Sequence, residues 1–228
     1  MSKFFVSGDS AEGWRIGLTK QSHWKPRHSA HSLAHSWHEA GDWPPSVERA
    51  LAASELGPLE LIAGIPEYKV ALPGGDTASQ TDLFVLARTQ GGRSVAMAVE
   101  GKAREPFGDT TVDVWSLGAS IGKQKRLAFL KRVLSISDNA ALGETRYQLL
   151  HRAASPVIEA ERLHADHAVM LVHSFHEPGE DPVWFDEFAK FAALLGAEAR
   201  MNGVFRAEAV PRSLYLGWVS DLHPEVGA

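Results

Sequence analysis

Two stretches of this chain carry residues whose types and spacing could do chemistry. The first is SQTDLFVLARTQGGRSVAMAVEGKARE, residues 79–105. Asp82 opens one strand-like run, Glu100-Gly101-Lys102 closes the next, and Gln90-Gly91-Gly92 lies between them. Side chains alternate along a strand, so Glu100 and Lys102 leave the same face. A tight turn folds 93–101 back along 81–89 and carries Asp82 towards Glu100. Two carboxylates and an ammonium then converge at one end of a hairpin. Hard oxygens from Asp82 and Glu100, with waters and the Gly101 carbonyl, suit Mg²⁺ (or Mn²⁺). The chemistry that follows is phosphodiester hydrolysis. The metal would polarise a phosphoryl oxygen and lower the pKa of a bound water. Lys102 would orient that water or stabilise developing charge. Spacing alone is also satisfied by a Glu–Lys ion pair at a strand end with Asp82 as a turn residue.

The second stretch is HSAHSLAHSWHE, in which His28, His31, His35 and His38 recur at intervals of 3, 4 and 3. On a helix they share one narrow sector. His31 and His35, at i and i+4, have the spacing of the His pair in HExxH metalloenzymes, but Ser-Leu-Ala stands between them where that motif needs a Glu. No third ligand is forced nearby; Glu39 is the candidate. Ala30, Leu33, Ala34, Trp37 and Ala40 cluster on the other side. The periodicity therefore predicts that the Trp/Leu face is buried and the histidines lie in solvent. A His-based metallohydrolase joining residues 28–38 to His173 and His176 is the metal reading that remains.

These residues must be positioned by the elements around them. FFVSGDSAEGWRIGLTK (4–20) reads as a small hairpin around a Gly/Asp/Ser turn. Ser29 is expected to cap a helix over about 30–41 and Ser46 a second one through Ala53. LELIAGI (59–65) and YKVAL (68–72) read as strands separated by Pro66, followed by the turn PGGD and the hairpin 81–101. Residues 117–136 read as a helix with Leu127, Leu130, Val133 and Leu134 on one side and Lys125 and Arg132 on the other. ETRYQLLHRAASPVIEAERL (144–163) is helical, with Pro156 kinking or restarting it. HAVMLVHSF (167–175) is a buried strand, 183–196 an amphipathic helix ending at Gly196, and SLYLGWVS (213–220) a last strand. Helices, three or more strands, helices, strand, helix, strand is the order of an α/β or α+β layer fold.

Composition bounds the rest. The 228 residues, 44% hydrophobic, suffice for one large core. The expected organisation is one domain over 1–228, with an N-terminal helical segment at about 29–54, a core at about 58–175 and a C-terminal helix and strand at about 183–220. Cysteine is absent, which excludes disulfides and Cys-based zinc sites. The start shows no signal-like apolar run and nothing approaches a membrane span, so a cytoplasmic location without membrane contact is expected. A net charge of −5 argues against bulk nucleic-acid coating. A local basic groove remains open, because Asp113 to Asp138 encloses Lys123, Lys125, Arg126, Lys131 and Arg132 with no acid between.

The pattern Asp82…Glu100-x-Lys102 resembles the PD-(D/E)XK nuclease superfamily, the restriction-endonuclease-like fold, with Thr81 where the motif has proline. HWKPRHSAHSLAHSW, IPEYKVALPGGDTASQTD, VEGKAREPFG, RYQLLHRAASPVIEAERL and AVMLVHSF, spanning most of the chain, also resemble a bacterial family assigned to that superfamily. The resemblance implies an αβββαβ core, a central mixed sheet flanked by helices, with Asp82, Glu100 and Lys102 catalytic. It implies Glu67 as an extra acidic ligand and Gln148 as an accessory that approaches the site from the following helix. Lys125, Arg132 and Arg152 are the candidate phosphate contacts and DNA, of a form the sequence does not reveal, the expected partner; a homodimer is one open assembly, since the sequence does not fix the oligomeric state. The first expectation is therefore a Mg²⁺-dependent DNA nuclease. The second is a non-cleaving protein of the same fold that binds nucleic acid or a protein partner. A basic or solvated helix face stands beside each phosphate-contact reading.

Overall fold

The computed structural model describes residues 2–18 and 21–225. Along them the chain runs α1 (Ser29–Ala40), α2 (Pro45–Ala52), β1 (Leu59–Val70), β2 (Ser79–Thr89), β3 (Ser94–Lys102), α3 (Val112–Ser116), α4 (Ile121–Leu134), α5 (Ala140–Glu144), α6 (Tyr147–Arg162), β4 (His167–His176), α7 (Phe185–Leu194), β5 (Gly203–Arg206) and β6 (Leu214–Leu222). The fold is mixed α/β: one six-stranded sheet in the order β1-β2-β3-β4-β6-β5, flanked by helices. β1, β2 and β3 form an antiparallel meander, β4 joins β3 in parallel, β6 joins β4 in parallel, and β5 closes the edge antiparallel. No helix among the described residues is long and apolar enough to cross a membrane.

Strand alternation sorts the apolar residues to two cores. Phe84, Ala96, Met170 and Val172 pack with Leu130, Leu134, Leu150, Ala153 and Phe188 from the helices α4, α6 and α7. Leu83, Val85, Met97, Val99 and Leu171 face the other way, against Leu33 and Trp37 of α1, Val47 and Leu51 of α2, and Phe4 and Trp14. β3 and β4 are buried on both faces, as continuous apolar runs in a parallel pair should be.

Several elements differ from the expectations. Over the described part of 4–20 there is no hairpin: Ala11–Gly17 is a 3₁₀ segment, Phe4 bridges to Gly64 of β1, and Thr19 and Lys20 lie outside the described residues. Pro66 does not divide β1, which runs unbroken through Leu59–Val70; β1 is the sheet edge, where proline is tolerated. Ser29 and Ser46 are not N-caps. His28 and Pro44 hold those positions, and the Ser46 hydroxyl instead donates to Asp221. Pro156 sits inside an unbroken α6; it deprives only the Arg152 carbonyl of its helical donor. The short elements α3, α5 and β5 have too little periodicity to be read from sequence.

Candidate active site

Sheet register builds the site. Leu83 pairs with Val99, so one step further along the antiparallel ladder sets Asp82 opposite Glu100. On the other side Pro66 pairs with Leu83 and Tyr68 with Thr81, which sets Glu67 opposite Asp82. Three carboxylates thus stand in a row across β1, β2 and β3. Glu67 takes its place with φ +54°, a left-handed conformation that costs a side-chain-bearing residue about 1–3 kcal/mol. Such strain is retained where the position of a side chain matters. The backbone N–H of Gly101 donates to Asp82 Oδ2 at 2.7 Å. A Cβ at Gly101 would lie 3.3 Å from the Ser29 carbonyl and 3.4 Å from Asp82 Oδ2, so glycine lets the strand approach both.

Lys102 at the end of β3 and Gln148 and Arg152 of α6 supply the cations and amide that meet this row. Lys102 Nζ donates to Glu100 Oε1 at 2.9 Å and to Gln148 Oε1 at 3.3 Å, while Gln148 Nε2 donates to Glu100 Oε1 at 2.9 Å. Arg152 Nε donates to the other oxygen, Glu100 Oε2, and its Nη1 reaches Ser79 Oγ at 3.1 Å. Phe107 lies under the Lys102 ammonium at 4.9 Å from its centroid, a cation–π contact. Glu100 and Lys102 are both buried, at 3% exposure. A cleft of about 520 Å³ has Leu18, His28, Ser29, Glu67, Asp82 and Arg152 among its lining residues; Glu100 and Lys102 are not among them.

The electrostatics divide the row. Burial raises the Asp82 carboxyl well above its ordinary range, and the neighbouring Glu100 and Glu67 charges add to this. Burial likewise pushes Glu67 up to about 7 in spite of the hydrogen bond from Gln80. Glu100 goes the opposite way: burial alone would raise it, but Arg152 and Lys102 together pull it to about 2. Crowded carboxylates that raise one another's pKa are the arrangement a cation relieves. Among the described residues, oxygens of Glu67, Asp82 and Glu100 are not all within 4.8 Å of one another. The donor set still fits Mg²⁺, which binds through one or two carboxylates and keeps several waters.

The structure sets Asp82, Glu100, Gly101 and Lys102, expected from hairpin spacing, beside Glu67 and Gln148, expected from the family resemblance. Arg152, expected to meet phosphate, lines the cleft but is engaged with Glu100 and Ser79. Lys125 and Arg132 lie on the exposed side of α4, and neither lines the cleft; Arg132 stacks on Phe129 at 5.2 Å. The Glu100–Arg152 pair was missed, although the helical spacing of Gln148, His151, Arg152, Ser155 and Glu159 marks a polar stripe on the sheet-facing side of α6. Ser155 bonds Ser79 at 2.9 Å, and Glu159 accepts from Tyr68 at 3.0 Å.

The expectation for the histidine face is overturned at His31 and His35, while His28 is exposed as expected. His31 and His35 are buried, at 6% and 8% exposure. The N-terminal segment covers the face that periodicity leaves to solvent: the Trp24 ring lies 5.2 Å from His31, and the two imidazoles are 4.4 Å apart. Glu12, which sequence reasoning did not consider, joins them, giving three side chains with ligand atoms all within 4.8 Å of one another. His173 and His176 are not part of this group. His173 accepts from Trp37 Nε1 at 3.0 Å and bonds Asp221 at 2.9 Å, and His176 bonds the Glu177 carbonyl at 3.0 Å.

Residues 8–223 match a family described as "Domain of unknown function (DUF6946)". The chain belongs to that family. No curated protein and no solved structure matches it. Membership of DUF6946 fixes no activity, since one fold hosts many chemistries.

Proposed function

We propose that this protein is a metal-dependent nuclease of the PD-(D/E)XK kind, hydrolysing DNA phosphodiester bonds at the cleft above Asp82, Glu100 and Lys102. The observation that carries the reading is the row of carboxylates on three adjacent strands, with Lys102 fixed beside Glu100 at 2.9 Å. Mg²⁺ or Mn²⁺ held by Asp82 and Glu100, with Glu67 as a further oxygen donor and the Gly101 carbonyl beside them, supplies Lewis acidity towards a phosphoryl oxygen and water. The remaining work falls to the chain's own groups. Gln148 and Phe107 fix the Lys102 ammonium, which stabilises negative charge developing on the phosphoryl oxygens. The Gly101 N–H holds one Asp82 oxygen at the cleft wall. Arg152 and Lys102 keep Glu100 ionised at neutral pH.

Cleavage of linear, nicked, single-stranded and branched DNA with Mg²⁺ or Mn²⁺ tests the proposal. Asp82→Ala and Lys102→Ala should each lower the rate by at least about 10²-fold, the scale of losing one preorganised electrostatic group. Equal rates in all three proteins would remove the site. A second reading has its own observation: both Glu100 oxygens are taken by protein donors. On that reading the cluster is a buried ion network in a protein that binds nucleic acid or a protein partner without cleaving. No cleavage of any substrate, with DNA affinity kept in Lys102→Ala, would favour it.

A further inference from the structure

The buried imidazoles of α1 form a second cluster, on different residues and with different chemistry. We infer that Glu12, His31 and His35 bind a borderline transition-metal ion, Zn²⁺ in the first instance, which clips the N-terminal 3₁₀ segment onto α1. This inference does not rest on nuclease activity.

Three observations converge. First, the set is two imidazoles and one carboxylate from two separate segments, with ligand atoms all within 4.8 Å of one another. Tetrahedral Zn²⁺ with bonds of about 2.0–2.2 Å needs a spacing near 3.4 Å, so side-chain rotations of about 1 Å close the site. Second, the His35 Nε2 atom is buried and has no hydrogen-bond partner. A buried imidazole nitrogen left unsatisfied is costly, and a metal ion would satisfy it. Third, the groups behind the ligands are already in place. Glu39 Oε1 is 2.9 Å from His35 Nδ1, which puts the proton on Nδ1 and presents the Nε2 lone pair. The Trp24 indole N–H donates to both Glu12 oxygens, at 3.3 and 3.1 Å. A carboxylate behind a ligating histidine fixes its tautomer and raises its basicity. Imidazole nitrogen selects Zn²⁺ over the hard Mg²⁺ suited to the carboxylate row.

The consequence reaches the cleft. Leu18 and His23 follow Glu12 in the N-terminal segment and form part of the cleft wall. His28 and Ser29, at the start of the helix that carries His31 and His35, form another part. An ion at Glu12, His31 and His35 holds those two walls together.

The test uses the full chain, stripped with a chelator and titrated with Zn²⁺ against a chromophoric competitor, with Co²⁺ as the spectroscopic probe. The expected result is one tight Zn²⁺ per chain and Co²⁺ d–d bands of a tetrahedral site. Both should be lost in His31→Gln, and affinity should fall by about 10–100-fold in Glu39→Gln. Zn²⁺ should also slow tryptic cleavage at Arg15 and Arg27. Glu12 is exposed, so Glu12→Gln folds even if the buried His31→Gln does not, and it should weaken binding and abolish the protection. The inference is overturned by absence of stoichiometric Zn²⁺ binding, by unchanged affinity in Glu12→Gln, or by binding that disappears only in a His28→Gln, His38→Gln double variant.

Discussion

Glu100 is a carboxylate buried to 3% exposure and held ionised by three donors. The desolvation cost of such a group is several kcal/mol, and it is offset only while its partners remain. Removing one partner should therefore be expensive. Arg152→Met should destabilise the fold by about 3 kcal/mol in urea unfolding, because it leaves the Glu100 charge undercompensated. Adding Glu100→Gln to Arg152→Met should restore part of that loss, since the uncompensated charge is gone. A double variant no more stable than the single one would contradict the buried pair. Glu67 poses the opposite problem, a strained backbone with φ +54° and a carboxyl pushed up to about 7. Its neighbour Gly17 admits it, for a Cβ there would come within 2.8 Å of Glu67 Cβ.

Elements meet through a second buried polar chain. His173 on β4 accepts from Trp37 on α1 and bonds Asp221 on β6, so one imidazole ties a helix to two strands. An indole N–H only donates, so His173 Nδ1 is the acceptor and Nε2–H donates to Asp221. Both nitrogens are thus satisfied in the neutral ring. Burial lowers the His173 pKa below its ordinary 6.5, outweighing the pull of Asp221. The sign follows: below pH 6.5 the unfolded chain takes up a proton that the folded chain resists. The contribution is complete above 6.5 and declines as pH falls from there towards the lowered folded value. The stability gap between wild type and His173→Gln should narrow between about pH 7.5 and pH 5.5. A gap independent of pH would contradict the buried neutral ring. Trp37→Phe should cost about 1–2 kcal/mol in the same assay, having removed the N–H that His173 Nδ1 accepts.

Over the whole molecule, the sheet gathers carboxylates from β1, β2 and β3 at one end while α6 and the N-terminal segment flank the cleft. Binding to the native state alone raises stability by mass action, so Mg²⁺ or Mn²⁺ at 10–100 times its Kd should add about 1.4–2.7 kcal/mol. The gain should be reversed by a chelator and absent in Asp82→Asn. A gain equal in wild type and Asp82→Asn would place the ion elsewhere. Zn²⁺ stabilisation should persist in Asp82→Asn and disappear in Glu12→Gln, which keeps the two metal assignments separate.

Sequence by itself determined the local and periodic features. The Gly-Gly turn and strand alternation bring Asp82 towards Glu100 and put Lys102 on the Glu100 face, because side chains along a strand alternate with a period of 2. The long strands and helices are legible for the same reason. What only tertiary structure decided depends on which faces meet. Periodicity assigns α1 one buried face towards the sheet, but it carries no information about a non-periodic segment folding over the other. Hence the burial of His31 and His35 and the arrival of Glu12, from a segment some twenty residues upstream, could not be read in advance. The pairing of Arg152 with Glu100 was hidden likewise, because helical spacing shows that Arg152 shares a face with Gln148 and not which strand residue that face will touch.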